Sequence, residues 1–284
     1  MDSFAGYAAT VSLILLNCGL AYSQAIVLRA GVFSIATSGL AAVGAYTAAI
    51  LVKQYAMHPG VAFVAATLAG SLVAALLSVP LSRLRGVYQA IATLAFVQIV
   101  VSLLLYAEPL TGGAMGLNGI AKTVGPATLA LFVAVLAYCY WAIGRTGLGR
   151  AFDAIRQDEL VAVSFGIRVV RYHALAFVLS GAIAGATGAL MAFHNYSLVP
   201  EEFGFGMLVA ALAFVVLGGR LTALGPITGA ALLTLLPEVA RTFADYRLLL
   251  HGAVLIGVIV YLQYGIADTL VFRLRQRRLR AAAV

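Results

Sequence analysis

Apolar residues run along the chain in long blocks, separated by short stretches where arginine, acid, proline and glycine collect. Nine blocks stand out: Phe4 to Tyr22, Ile35 to Val52, Gly60 to Pro80, Gly86 to Ala107, Pro126 to Gly144, His173 to Phe193, Phe203 to Leu217, Leu221 to Ala240 and Leu248 to Ala267. Apolar runs of about 20 residues are the length of a bilayer-spanning helix. Unpaired backbone groups in hydrocarbon cost several kcal/mol each, so only helices or a closed barrel can span, and these lengths select helices. The pattern predicts an all-α, polytopic membrane bundle of eight to ten transmembrane or re-entrant helices, one domain over residues 1–284. A helix over Phe203 to Leu217 rises only about 22 Å against a hydrocarbon core of about 30 Å, so this segment or its successor is expected to be re-entrant. Tyr22 to Ser34, a mildly apolar run holding Gln24 and Arg29, is the expected place for an extra half-helix. Only Asp2, not a basic region, precedes the first block, and it is read as a retained span.

The charges order these segments across the membrane. With the arginine tail (Arg273, Arg275, Arg277, Arg278, Arg280; region 272–284) placed in the cytoplasm, alternation puts the N-terminus outside. Fourteen of the 18 basic residues then fall inside. Lys53, Lys122, Arg241 and Arg247 fall outside, together with six of the ten acids. That is the bias expected of a multi-pass protein.

Composition narrows the chemistry. At 63% hydrophobic and 10% charged residues the chain cannot cover a water-facing surface. The net charge of +8 is explained by arginines at the membrane edge rather than by nucleic acid. Cys18 and Cys139 lie in apolar runs with no metal-ligand spacing, and the four histidines are scattered, so no metal site is expected. No charge falls in the middle of a span, which argues against an ion-coupled carrier or proton pump. Gly116-Leu-Asn-Gly-Ile-Ala121-Lys122-Thr123 approaches a phosphate loop but has alanine at 121 and lies on the outer side, so the chain has no ATP site and no cofactor of its own. The energy is expected from another subunit.

Two sets of residues carry candidate function. On the fourth span Gln89 and Thr93 share a face and Gln98 points roughly opposite, so either pair of directions serves a polar path while the other serves as interhelical glue. The loop 145–172 contains a short helix in which Phe152, Ile155, Glu159, Ala162 and Gly166 fall on one narrow face, with Arg156 and Asp153 beside it. That face suits either docking into a groove or rest on anionic lipid. Gly31, Gly39 and Gly44 in the first half, and Gly218, Gly219, Gly225 and Gly229 in the second, mark either broken helices at a midplane path or close helix packing.

Leu84-Arg-Gly-Val-Tyr88-Gln-Ala-Ile-Ala-Thr93, Thr111-Gly-Gly-Ala-Met-Gly116-Leu-Asn-Gly-Ile120, Ala154-Ile-Arg156-Gln-Asp158-Glu159 and Gly218-Gly219 followed by Gly225-Pro226 and Gly229-Ala230 occur in this order. Together with Gly31-Val-Phe-Ser34 they resemble the permease subunits of branched-chain amino-acid ABC importers over nearly the whole length. The resemblance implies a non-enzymatic permease of the bacterial inner membrane. It implies pairing with a homologous second permease, two cytoplasmic ATPases that consume ATP, and a periplasmic substrate-binding protein facing Gly112 to Gly119, Glu201 and Glu202. The loop helix, with Phe152, Ile155, Arg156, Asp158, Glu159, Ala162 and Gly166, would couple to the ATPases. Ser34, Thr37, Gln89, Thr93 and Gln98 would lie along the substrate path. Ala36 and Thr37 stand where the family has glycine and a larger polar residue, and Gln98 where glutamate is common, which leaves the cargo open between branched-chain amino acids and urea or short amides.

Overall fold

The structure, a computed structural model, describes residues 2–239 and 265–269. Helices make up most of the described residues: α1 Asp2–Arg29, α2 Thr37–Lys53, α3 Pro59–Leu81, α4 Val87–Tyr106, α5 Glu108–Thr111, α6 Pro126–Arg145, α7 Gly147–Gln157, α8 Glu159–Ser164, α9 Val169–His194, α10 Phe205–Gly218 and α11 Gly225–Val239. Among the described residues six stretches are long and apolar enough to cross a membrane: Ala8–Arg29, α3, α4, α6, α9 and Pro200–Gly218, with α2 and α11 as shorter apolar helices. The chain is a polytopic helical membrane protein. The expected span Leu248 to Ala267 lies outside the described residues except for its last three. The extra half-helix expected over Tyr22 to Ser34 does not form a separate element, because α1 runs unbroken to Arg29 and the chain turns only at Gly31, whose φ is +82°.

The packing centre is α9, which lies against α1, α2 and α3. Along α3 the residues Ala62, Ala66, Gly70, Ala74 and Ser78 recur every four positions and are all buried. They meet Gly181 and Gly185 of α9 so closely that a Cβ on Gly185 would lie 2.6 Å from the Ala66 carbonyl oxygen. A Cβ on Gly188 would collide with the Ala41 carbonyl oxygen of α2, and one on Gly44 with Gly185. Gly44 and Gly229 therefore sit inside helices as contact points and are not breaks, whereas Gly31 and Gly219 do mark chain turns. The opposite face of α3 carries Val61, Val64, Leu68, Leu72, Leu76 and Val79, all exposed. Large side chains out and small ones in is the expected arrangement where lipid tails remove any hydrophobic drive between helices.

At one end of the bundle α10 and α11 form a tight hairpin. Gly219, with φ +104°, makes the turn, and Asp268 closes it, its two carboxylate oxygens accepting from Leu221 N and Thr222 N at 2.9 Å each. Tyr22 and Tyr140 donate to the turn carbonyls of Ala223 and Arg220. At the other end a two-stranded antiparallel pair joins the α5–α6 and α9–α10 connections, with Leu117 opposite Leu198 and Asn118 opposite Ser197. Tyr46 of α2 ties this pair down by donating to the Leu198 carbonyl at 3.1 Å.

Gly185→Leu should destabilise the bundle by about 3 kcal/mol or more through overpacking, while Leu72→Ala on the outward face should change it by less than about 0.5 kcal/mol. Thermal unfolding of the two detergent-solubilised variants measures the difference.

Candidate functional site

The first polar set surrounds the turn between α1 and α2. Gln24, fully buried on α1, donates from Nε2 to the Ser34 carbonyl at 2.6 Å and accepts from Thr37 Oγ1 at 2.7 Å. Ser34 Oγ accepts from Ala36 N at 3.3 Å. Ile35 N donates to Thr93 Oγ1 at 3.1 Å, which ties the same turn to α4. Thr93 Oγ1 in turn donates to the carbonyls of Gln89 and Ala90, and Gln89 Nε2 reaches the Leu81 carbonyl at 3.3 Å. The structure thus brings Ser34, Thr37, Gln89 and Thr93 into one buried seam through a residue that was not among the candidates, Gln24. Gln98 is not part of it. It points out of the bundle on the exposed face of α4, alongside Tyr88, Ile91 and Ser102. Every seam group bonds within the chain, so in this conformation the seam fixes the α1–α2 turn against α4.

The second set is an elbow at the arginine-rich end. The single short helix expected in the loop 145–172 is broken at Asp158, whose extended backbone separates α7 from α8. Asp158 then caps α8, its Oδ1 accepting from Leu160 N at 2.9 Å and Val161 N at 3.1 Å. Gly166, at φ +79°, ends α8, with Gly166 N and Ile167 N donating back to the carbonyls of Val163 and Ala162. The apolar face foreseen for docking is turned inward. Phe152, Ile155 and Ala162 are buried against Val169 and Tyr172, the Phe152 and Tyr172 rings meeting edge to face at 6.3 Å. Glu159 pairs with Arg85 at 3.0 Å.

What locks the elbow to the bundle is an ion pair that alternation of loops and spans did not foresee. Arg29, in the last turn of α1, donates from Nε and Nη2 to the two carboxylate oxygens of Asp153 at 3.2 and 3.0 Å. Its side chain is 8% exposed and lies over the Tyr140 ring, 5.5 Å from the centroid. Beside it Gly31 lets α1 approach α7 until a Cβ there would sit 3.2 Å from the Arg156 Cα. Gln24 and Arg29 were visible as polar interruptions of an apolar run, and Asp268 as an acid at the edge of a basic tail. Their partners, 124 residues away for Arg29 and 46–47 for Asp268, were not.

Residues 4–260 match the family model described as branched-chain amino acid transport system, permease component. The chain belongs to that permease family. This permease is 30% identical to the high-affinity branched-chain amino acid transport system permease protein LivM of Salmonella typhimurium, over 91% of the chain and 68% of the relative. The figures are the same for LivM of Escherichia coli. It is also 34% identical, over 46% of its length and 40% of the relative, to the autoinducer 2 import system permease protein LsrC of Klebsiella pneumoniae. No solved structure matches it. The permease is thus a multi-pass protein of a bacterial inner membrane, a subunit of an ABC transporter of this family.

Removing one side of the Arg29–Asp153 pair strands a buried charge. Asp153→Leu should cost this permease about 3–5 kcal/mol, and Arg29→Met with Asp153→Leu should recover most of it. A double-mutant cycle of unfolding free energies measures the coupling.

Proposed function

We propose that this permease forms the membrane path of a binding-protein-dependent importer that moves branched-chain or related small amino acids inward, with its N-terminus outside and its C-terminus in the cytoplasm. The orientation is supported by the charge bias and by the way Arg29, Arg145, Arg156 and Arg220 surround one end, while Glu108, Glu201 and Glu202 lie in the connections at the other. The cargo follows the printed activity of the LivM relatives, and the seam suits it, since its polar groups are neutral. The family match sets aside the ion-coupled carrier.

The observation that carries the reading is the outer side of α8. Leu160, Val161, Val163 and Phe165 are 78%, 50%, 54% and 81% exposed on a short helix in the cytoplasmic loop. An exposed apolar patch of that kind suits the surface of a partner protein. The docking face for the two partner ATPases is therefore this one, not the Phe152–Ile155–Ala162 face, which holds α7 and α8 to the permease. Closure of the ATPases on ATP presses α8. Asp153 and Arg29, with Gly31 against Arg156, pass the displacement to the α1–α2 turn, where Gln24, Ser34, Thr37 and Thr93 set the geometry of the path. The outward Gln98 and Ser102 place two polar side chains on an otherwise lipid-facing helix, and a second permease covering α4 offers them hydrogen-bond partners. The paired strands carrying Leu117 and Leu198, with Glu201 and Glu202 nearby, form the platform for the periplasmic binding protein.

Leu160→Asp together with Phe165→Asp should abolish co-purification of the ATPases and lower amino-acid uptake by the assembled importer about tenfold or more, with the thermal stability of the isolated permease unchanged. Uptake that persists in the double variant, or accumulation by the permease alone without ATP, overturns the proposal.

A further inference from the structure

Between the elbow and the α10–α11 turn lies a groove of about 430 Å³ that the seam and the α8 surface do not use. Its polar end is made by Arg156, Arg220 and Asp268, and its walls include Phe33, Val216 and Leu221, each 40–44% exposed. Arg156 Nε is buried without a hydrogen-bond partner, and neither arginine enters an ion pair among the described residues. Asp268 does not relieve them fully, because each of its oxygens accepts from a turn N–H, Leu221 and Thr222. Burial, and after it the neighbouring Arg156 guanidinium, draw Arg220 below its ordinary pKa, with the Asp268 charge offsetting part of the effect. Among the described residues, two guanidiniums and one carboxylate leave one uncompensated positive charge. Guanidinium forks suit phosphate oxygens, and a phosphodiester carries the single negative charge required. The exposed apolar rim, with Val216 on a membrane helix, opens the groove toward acyl chains rather than toward water alone.

We propose that this groove binds the headgroup phosphate of an anionic inner-leaflet phospholipid between Arg156 and Arg220, with its acyl chains along Phe33 and Val216. Such a site joins the elbow that receives the ATPases to the α10–α11 hairpin, so the lipid acts as a removable wedge between two elements of the cytoplasmic end. From the proposed function it takes only the orientation that sets this end at the inner leaflet.

The test uses the purified full-length chain in neutral detergent and reads lipid binding, not uptake, so its failure leaves the transport reading untouched. Short-chain phosphatidylglycerol should raise the unfolding temperature by about 5 °C at saturating concentration. Phosphatidylcholine of the same chain length and inorganic phosphate should not. Arg156→Gln with Arg220→Gln should remove the shift, and Arg83→Gln, at an exposed arginine away from the groove, should keep it. An equal shift with phosphatidylcholine or inorganic phosphate, or one that persists in the double variant, overturns the proposal, as does displacement of the lipid by leucine. Should the double variant not fold, native mass spectrometry of the single variants decides. Arg220→Lys should retain phosphatidylglycerol adducts and Arg220→Gln should lose them about tenfold, and equal adducts in both overturn the site.

Discussion

The fold rests on backbone-to-backbone contact between α9 and its neighbours. Gly181, Gly185 and Gly188 on α9 meet Gly70, Ala66, Gly44 and Ala41 at distances that admit no side chain. In a bilayer, apolar side chains gain nothing by leaving lipid for protein, so association depends on dense contact and on the few hydrogen bonds that close approach allows. Once α2 and α3 are seated on α9, α1 is drawn in as well, where Ser23 and Ser180 share a buried hydrogen bond at 2.9 Å. The positions of the turn after Arg29 and of the seam around Gln24 follow from that seating.

On this rigid centre the polar groups are divided by task. The seam is neutral and fully bonded, so it holds the α1–α2 turn without leaving any charge in hydrocarbon. Among the described residues the charged contacts lie at one end of the bundle: Arg29 with Asp153, Arg85 with Glu159, and Asp268 with the α10–α11 turn. They differ in worth. The Arg85 side chain is 77% exposed, so its pair contributes about 0–1 kcal/mol, whereas the sequestered, bidentate Arg29 contact is costly to break from one side only. The elbow is therefore held firmly to α1 through Asp153 and only weakly to the segment carrying Arg85.

Much of this was legible in the residues. Apolar block length yields the spans, and the four-residue recurrence from Ala62 to Ser78 displays the inner face of α3. The opposed directions of Gln89 and Gln98 follow from 100° per residue and are observed: one is buried and the other points outward. The misreadings share a cause. A periodic face on α7 and α8 looks the same whether it meets a partner or the chain's own α9, and Asp158 serves equally as a helix residue and as a cap that breaks one. Gly44 and Gly31 are the same residue type in similar surroundings, and only the backbone of α9 behind Gly44 separates a contact from a turn. Long-range pairs such as Arg29 with Asp153 leave no trace in local periodicity.

The closure of the α10–α11 turn by Asp268 has a temporal side. The two amides it receives belong to residues 46 and 47 positions earlier, so when the hairpin leaves the ribosome its bend has no acceptor for them. The bend is completed only after synthesis has reached Asp268. Any chain terminated shortly before that carboxylate would carry its earlier helices and still lack a closed α10–α11 turn, so the bend depends on residues made well after its own.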